Sequence, residues 1–191
     1  MSLTSYDTSF RSALLQYKQN AVSGQQAQWA EEYLSFLEND PECFERANMR
    51  GHFTGSAVVI DPVTCKVLLT HHAKTHCWLQ LGGHCDGVQD PFFTAWQEAY
   101  QESGLKLITP VDGAIFDLNP DEVPEYRGLP AHLHKDVCYL FYADSSKGFV
   151  KSDESLDLAW ADLDKVDDYT QSKSVIRLAV KALAHIVRKG R

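Results

Sequence analysis

The chain has 191 residues, 44% of them hydrophobic, which fits one domain with a sizeable core and an appendage. Its formal net charge of −8 argues against a nucleic-acid polymer as the main partner, because such binding needs a basic surface. The five cysteines (Cys43, Cys65, Cys77, Cys85 and Cys138) are odd in number and form no C-x-x-C pair, so a disulfide framework is not expected and a reducing cytoplasm is.

The first fifty residues read as helical. Phe10, Leu14, Leu15 and Tyr17 suggest a short amphipathic helix, interrupted at Ser23-Gly24. Trp29, Tyr33, Phe36 and Leu37 then recur at helical spacing up to the stop signal Asn39-Asp40-Pro41. Cys43 to Met49 is expected to add a further short helix. We read residues 1–50 as a helical N-terminal extension that caps the core, with a dimerisation arm as the alternative.

From Gly51 the pattern changes. His52 to Ile60 is β-branched and apolar and ends at Asp61-Pro62; Lys66 to His72 follows, so the pair reads as a hairpin. Trp78 to Leu81 is expected as a short strand that leads into a glycine-rich loop (Gly82, Gly83, Gly87), where the backbone can approach a ligand closely. Cys77, His84 and Cys85 fit no standard zinc spacing.

The next helix carries the candidate chemistry. Asp90 is a good N-cap, Pro91 suits the first helical position, and Gly104 suits the end. Between them Glu98 and Glu102 stand four residues apart, on one face with Thr94 and Gln101. Phe92, Trp96, Ala99 and Tyr100 lie on the other side, available to a core. Two carboxylates at this spacing suit a hard cation such as Mg²⁺ and equally suit a solvated helix face.

The stretch from Gly83 to Leu105 resembles the Nudix box of the Nudix hydrolases, G-x5-E-x7-R-E-U-x-E-E-x-G-U, where U is apolar. Gly83, Glu98, Ala99, Glu102, Gly104 and Leu105 match. Gln89, Gln97 and Gln101 stand where the pattern has Glu, Arg and Glu. Gln97 and Gln101 are one turn apart, so a lost cation and a lost anion would compensate each other if that face is partly buried.

After the box, Lys106 to Thr109 and Gly113 to Leu118 are expected as strands, and Asn119 to Pro130 as a polar loop. If residues 132–143 form one strand, His132, His134 and Asp136 share a face. Such side chains suit either a substrate cleft, touching phosphate, or a hydrogen-bonded sheet face. Ser172 to Val187 carries Val175, Ile176, Ala179, Val180, Leu183 and Ile186 at helical spacing, as a last packing helix.

The resemblance covers Gly51 to the C-terminus and implies an α/β fold: a Nudix-type α/β/α sandwich with a mixed sheet, here residues 51–191 behind the helical extension. It also implies a pyrophosphohydrolase of a nucleoside diphosphate linked to another moiety, for example ADP-ribose or a nucleotide sugar, using Mg²⁺ or Mn²⁺. The metal ligands would be Glu98, Glu102, Glu154 and the carbonyl of Gly83. Glu154 stands six positions before Trp160, an offset at which many family members supply an acid from outside the box. Glu98, Glu102 and Glu154 would be the catalytic residues, with Glu98 or Glu154 as the base. His84, His132, His134 and Asp136 would meet the substrate. The three glutamines keep open the alternative of a catalytically weak or inactive nucleotide-binding module. The partner expected is a small molecule, with no membrane; a homodimer is expected because relatives often form one.

Overall fold

The computed structural model describes residues 5–125, 128–152 and 155–190. Glu154 therefore lies outside the described residues. The elements in order are α1 (Ser5–Gln19), α2 (Gly24–Asn39), β1 (His52–Asp61), β2 (Lys66–His72), β3 (Trp78–Leu79), β4 (Leu81–His84), α3 (Pro91–Ser103), β5 (Thr109–Val123), β6 (His132–Tyr142), β7 (Ser155–Asp162), a 3-10 turn (Val166–Asp168) and α4 (Lys173–Lys189). The strands form one mixed sheet along the path β3-β2-β1-β6-β5, with β4 paired to β1 and β7 paired to β2. No helix among the described residues is long and apolar enough to cross a membrane.

The chain divides into two compact units, Met1–Ser56 with Gly83–Ala95 and Ala114–Tyr139, and Ala57–Gly82 with Trp96–Gly113 and Leu140–Arg191. In the first, Phe53 is fully buried at the start of β1 and forms the hub of an aromatic cluster. Phe10 of α1, Tyr33 and Phe36 of α2, and Phe44 all lie within 5.7 Å of its ring centroid. The helices are also tied by polar bonds: Tyr17 Oη donates to Asp117 of β5 at 2.7 Å, and Tyr33 Oη donates to the Asp136 carbonyl of β6 at 3.3 Å. The N-terminal helices thus share a core with β1.

In the second unit β2 and β7 are antiparallel, with Val67 opposite Ala161 and Leu69 opposite Ala159. The β1–β2 turn is held by Asp61, whose carboxylate accepts from the amides of Val63 and Thr64 and from the amide and hydroxyl of Ser145. Burial alone would raise the Asp61 pKa, but these four bonds hold it well below the usual carboxylate range. Helix α4 buries Val175, Leu178, Ala179 and Ala182, whereas Val180, expected in the apolar stripe, is exposed.

Three local expectations change. Residues 43–49 form successive hydrogen-bonded turns instead of a helix. Backbone amides bond three residues back, Cys43 to the Asp40 carbonyl, Glu45 to Glu42 and Asn48 to Glu45, and the Asp40 and Asn48 side chains add turn bonds from the Glu42 and Arg50 N–H groups. The expected glycine loop begins later, since Gly82 and Gly83 belong to β4. Strand β5 continues through Pro120 to Val123, into the stretch expected as loop. It ends the strand path, and an edge strand tolerates the missing proline N–H.

Candidate functional site

Helix α3 starts and stops where its sequence signals lie. The Asp90 side chain accepts from the amides of Phe92 and Phe93 at 3.1 and 3.2 Å. Gly104 follows the last turn at φ +61°, the left-handed conformation that glycine takes without strain. The first turn also lies against β1 at Gly55, where a Cβ would come within 2.3 Å of the Pro91 carbonyl oxygen. Only glycine permits that approach.

Glu98 is partly buried; Glu102, one turn further, is only 4% exposed and accepts from the Gly82 N–H at 3.3 Å. Oxygen donors at this spacing, one of them fixed by a backbone amide, fit a hard divalent cation such as Mg²⁺ or Mn²⁺. Gln89, Gln97 and Gln101 are all exposed. The charges absent at 97 and 101 would therefore have been solvated, and the expected compensation for burial is not needed there.

A second cluster lies on other elements. His52 opens β1, His84 ends β4, and His132 and His134 alternate along the first turn of pleat in β6. Ring centroids lie 5.1 Å apart for His52–His84, 5.2 Å for His52–His132 and 4.9 Å for His52–His134. His134 is also 5.0 Å from His84 and 5.1 Å from His132. The His52 Nδ1 bonds the Asn48 carbonyl at 3.2 Å, and the His132 Nδ1 bonds the Pro130 carbonyl at 2.9 Å. A carbonyl only accepts, so each Nδ1 carries the proton and each Nε2 keeps a lone pair in the neutral ring. Nε2 of His52 and Nε2 of His134 are buried without a hydrogen-bond partner among the described residues. Burial, reinforced by the neighbouring imidazoles, pushes His134 down to about 3 and lowers His52 as well, so both rings are neutral near pH 7.

Asp136, two residues along β6, is 5% exposed. Its carboxylate accepts from the hydroxyls of Thr54 and Ser56 at 2.7 and 2.8 Å and from the Cys138 thiol at 3.2 Å. Burial raises its pKa despite these bonds.

No sequence model of a protein family matches the chain, and no curated protein sequence does. Solved structures do. An Ap4A hydrolase from C. elegans in a binary complex superposes with a TM-score of 0.57 at 16% identity, over 71% of this chain and 97% of that one. The NUDIX domain of Shewanella oneidensis NrtR, complexed with ADP ribose, gives 0.53 at 17% identity over 80% and 97%. A MutT protein from Methanosarcina mazei Go1 gives 0.53 at 15% identity over 75% and 98%. The fold is the Nudix fold.

Within this Nudix fold, the described residues expected at the site fall into two groups, and Asp136 stands outside both with its carboxylate bonded to Thr54, Ser56 and Cys138. Glu98 and Glu102 sit one turn apart on α3, and Gly83 lies in β4. His84, His132 and His134 are brought together, and His52 joins them. In the sequence His52 is only the first residue of an expected strand. Period-two alternation links residues along one strand, and nothing local says which distant strand lies alongside.

Proposed function

We propose that the protein is a divalent-metal-dependent pyrophosphohydrolase acting on a nucleoside diphosphate linked to another moiety, such as ADP-ribose or a nucleotide sugar. The observation that carries this reading is the α3 carboxylate pair, partly buried Glu98 and buried Glu102, on a helix capped at both ends. It is supported by a fold shared with an Ap4A hydrolase and with a domain that binds ADP ribose. A bound Mg²⁺ or Mn²⁺ would neutralise the diphosphate and lower the pKa of a water. Glu102, held by the Gly82 N–H, fixes a ligand oxygen in place. Glu98, less buried, would be the second ligand or would accept the proton of the attacking water; Glu154 is the other candidate for that base. Residues 51–191 would form the hydrolase domain. Positioning and electrostatics supply most of the rate in such chemistry.

The test is phosphatase-coupled phosphate release from ADP-ribose, nucleotide sugars, dinucleoside polyphosphates and nucleoside triphosphates, with and without Mg²⁺ or Mn²⁺. Metal-dependent release from one class, abolished in Glu102→Gln, is expected. Unchanged turnover in that variant would remove Glu102 from the mechanism.

The exposed glutamines at 89, 97 and 101 favour a second reading, a nucleotide-binding module without turnover. Calorimetric binding of one panel member with no release from any would establish it.

A further inference from the structure

We propose that His52, His132 and His134 form a binding site for a divalent transition metal of the zinc type, separate in its ligands from the α3 carboxylates. Among the described residues these three offer ligand nitrogens that all lie within 4.8 Å of one another. A tetrahedral zinc site with bonds of about 2.0–2.1 Å places its nitrogens about 3.3 Å apart, so closure needs side-chain adjustments of about 1.5 Å at most.

The direction of the hydrogen bonds decides between a cation and an anion. The Asn48 and Pro130 carbonyls take the Nδ1 protons of His52 and His132, which turns lone pairs, not N–H groups, toward a partner at Nε2. This is also how metal-bound histidines are oriented in general, by a backbone acceptor on the other ring nitrogen. His52 is 1% exposed, and its Nε2 and that of His134 are buried with no partner among the described residues. A buried lone pair with no donor, as at His52 Nε2, is costly. A phosphate would add further lone pairs, whereas a cation resolves them. Imidazole is a borderline ligand that suits zinc, copper, nickel and iron over magnesium or calcium. His84, whose ring lies 5.1 Å from His52 and 5.0 Å from His134, borders the three rings without joining their group of ligand nitrogens.

Binding here is independent of the hydrolase reading, since it is measured without substrate and through nitrogen ligands. The full chain, stripped with a chelator, is titrated with Co²⁺ and then with Zn²⁺, following visible absorption and heat. One Co²⁺ per chain is expected, with the intense visible bands of a four-coordinate nitrogen site, displaced by Zn²⁺ and accompanied by a rise in Tm. His132→Gln and His134→Gln are expected to weaken binding at least about 100-fold while circular dichroism stays native. Glu98→Gln/Glu102→Gln is expected to bind Zn²⁺ as the parent does. His52→Gln risks misfolding because the residue is buried; the partly exposed His132 keeps the test decisive. A near-ultraviolet thiolate band, binding unchanged in both histidine variants, loss of binding in the carboxylate variant, or no binding at micromolar metal would each overturn the proposal.

Discussion

The Asn48 carbonyl accepts the Nδ1 proton of His52 at 3.2 Å, so the turn before β1 sets the tautomer of the most buried ring in the imidazole cluster. That turn is itself held by a buried acid. Asn48 Nδ2 donates to Asp40 Oδ2 at 2.9 Å, and Arg50 pairs with the same oxygen at 3.0 Å. Asp40→Ala would leave the buried Asn48 amide short of an acceptor. A loss of about 1–3 kcal/mol is expected in urea unfolding, together with weaker Zn²⁺ binding. Normal Zn²⁺ affinity in a destabilised variant would uncouple the turn from the imidazoles.

Phe53 links both N-terminal helices to β1, with four aromatic rings around its own. Phe53→Ala opens a cavity where no neighbour can easily collapse. About 3–5 kcal/mol should be lost, read from the denaturation midpoint at unchanged m-value. A loss under about 1 kcal/mol would mean that the helices contribute little to the core.

Gly55→Ala drives a methyl group into backbone, against Pro91 O at 2.3 Å and Ala95 N at 2.9 Å. Neither atom can swing away as a side-chain end would. The variant should be destabilised by about 1–3 kcal/mol. Because the same helix carries Glu98 and Glu102, any turnover should fall with it. Parent-like stability would show that the helix start shifts freely.

Asp61 makes stability depend on acid. Its pKa in the folded chain is depressed, so its contribution is complete above the ordinary aspartate value of about 4 and is lost as pH falls through the folded value. Urea midpoints measured from about pH 6 down to about pH 2 should fall less steeply in Asp61→Asn than in the parent. Parallel curves would mean that the four hydrogen bonds to Asp61 do not favour its charged form.

Much of the scaffold can be read locally. Asp90, Pro91 and Gly104 bound α3 because capping is a contest between one side chain and a few adjacent amides. Asp61-Pro62 ends β1, and β2 runs over Lys66–His72 as the second strand of the expected hairpin. Where local signals competed, the reading failed. Cys43 to Met49 looks helical by composition, but its backbone forms turns instead, to which the Asp40 and Asn48 side chains add bonds. Pro120 suggests a loop, yet it sits in a strand at the end of the sheet path, where its lost donor matters least.

The helix with Glu98 and Glu102, the hairpin before it and the resemblance that the fold comparison bears out are legible along the chain, because each depends on residues close together in it. Only the tertiary structure decided that Gln97 and Gln101 face solvent, that Asp136 spends its carboxylate on Thr54, Ser56 and Cys138, and that His52 meets His132 and His134. His52 lies about eighty positions before His132 and His134, and sheet pairing, which no local pattern encodes, brings the three rings together.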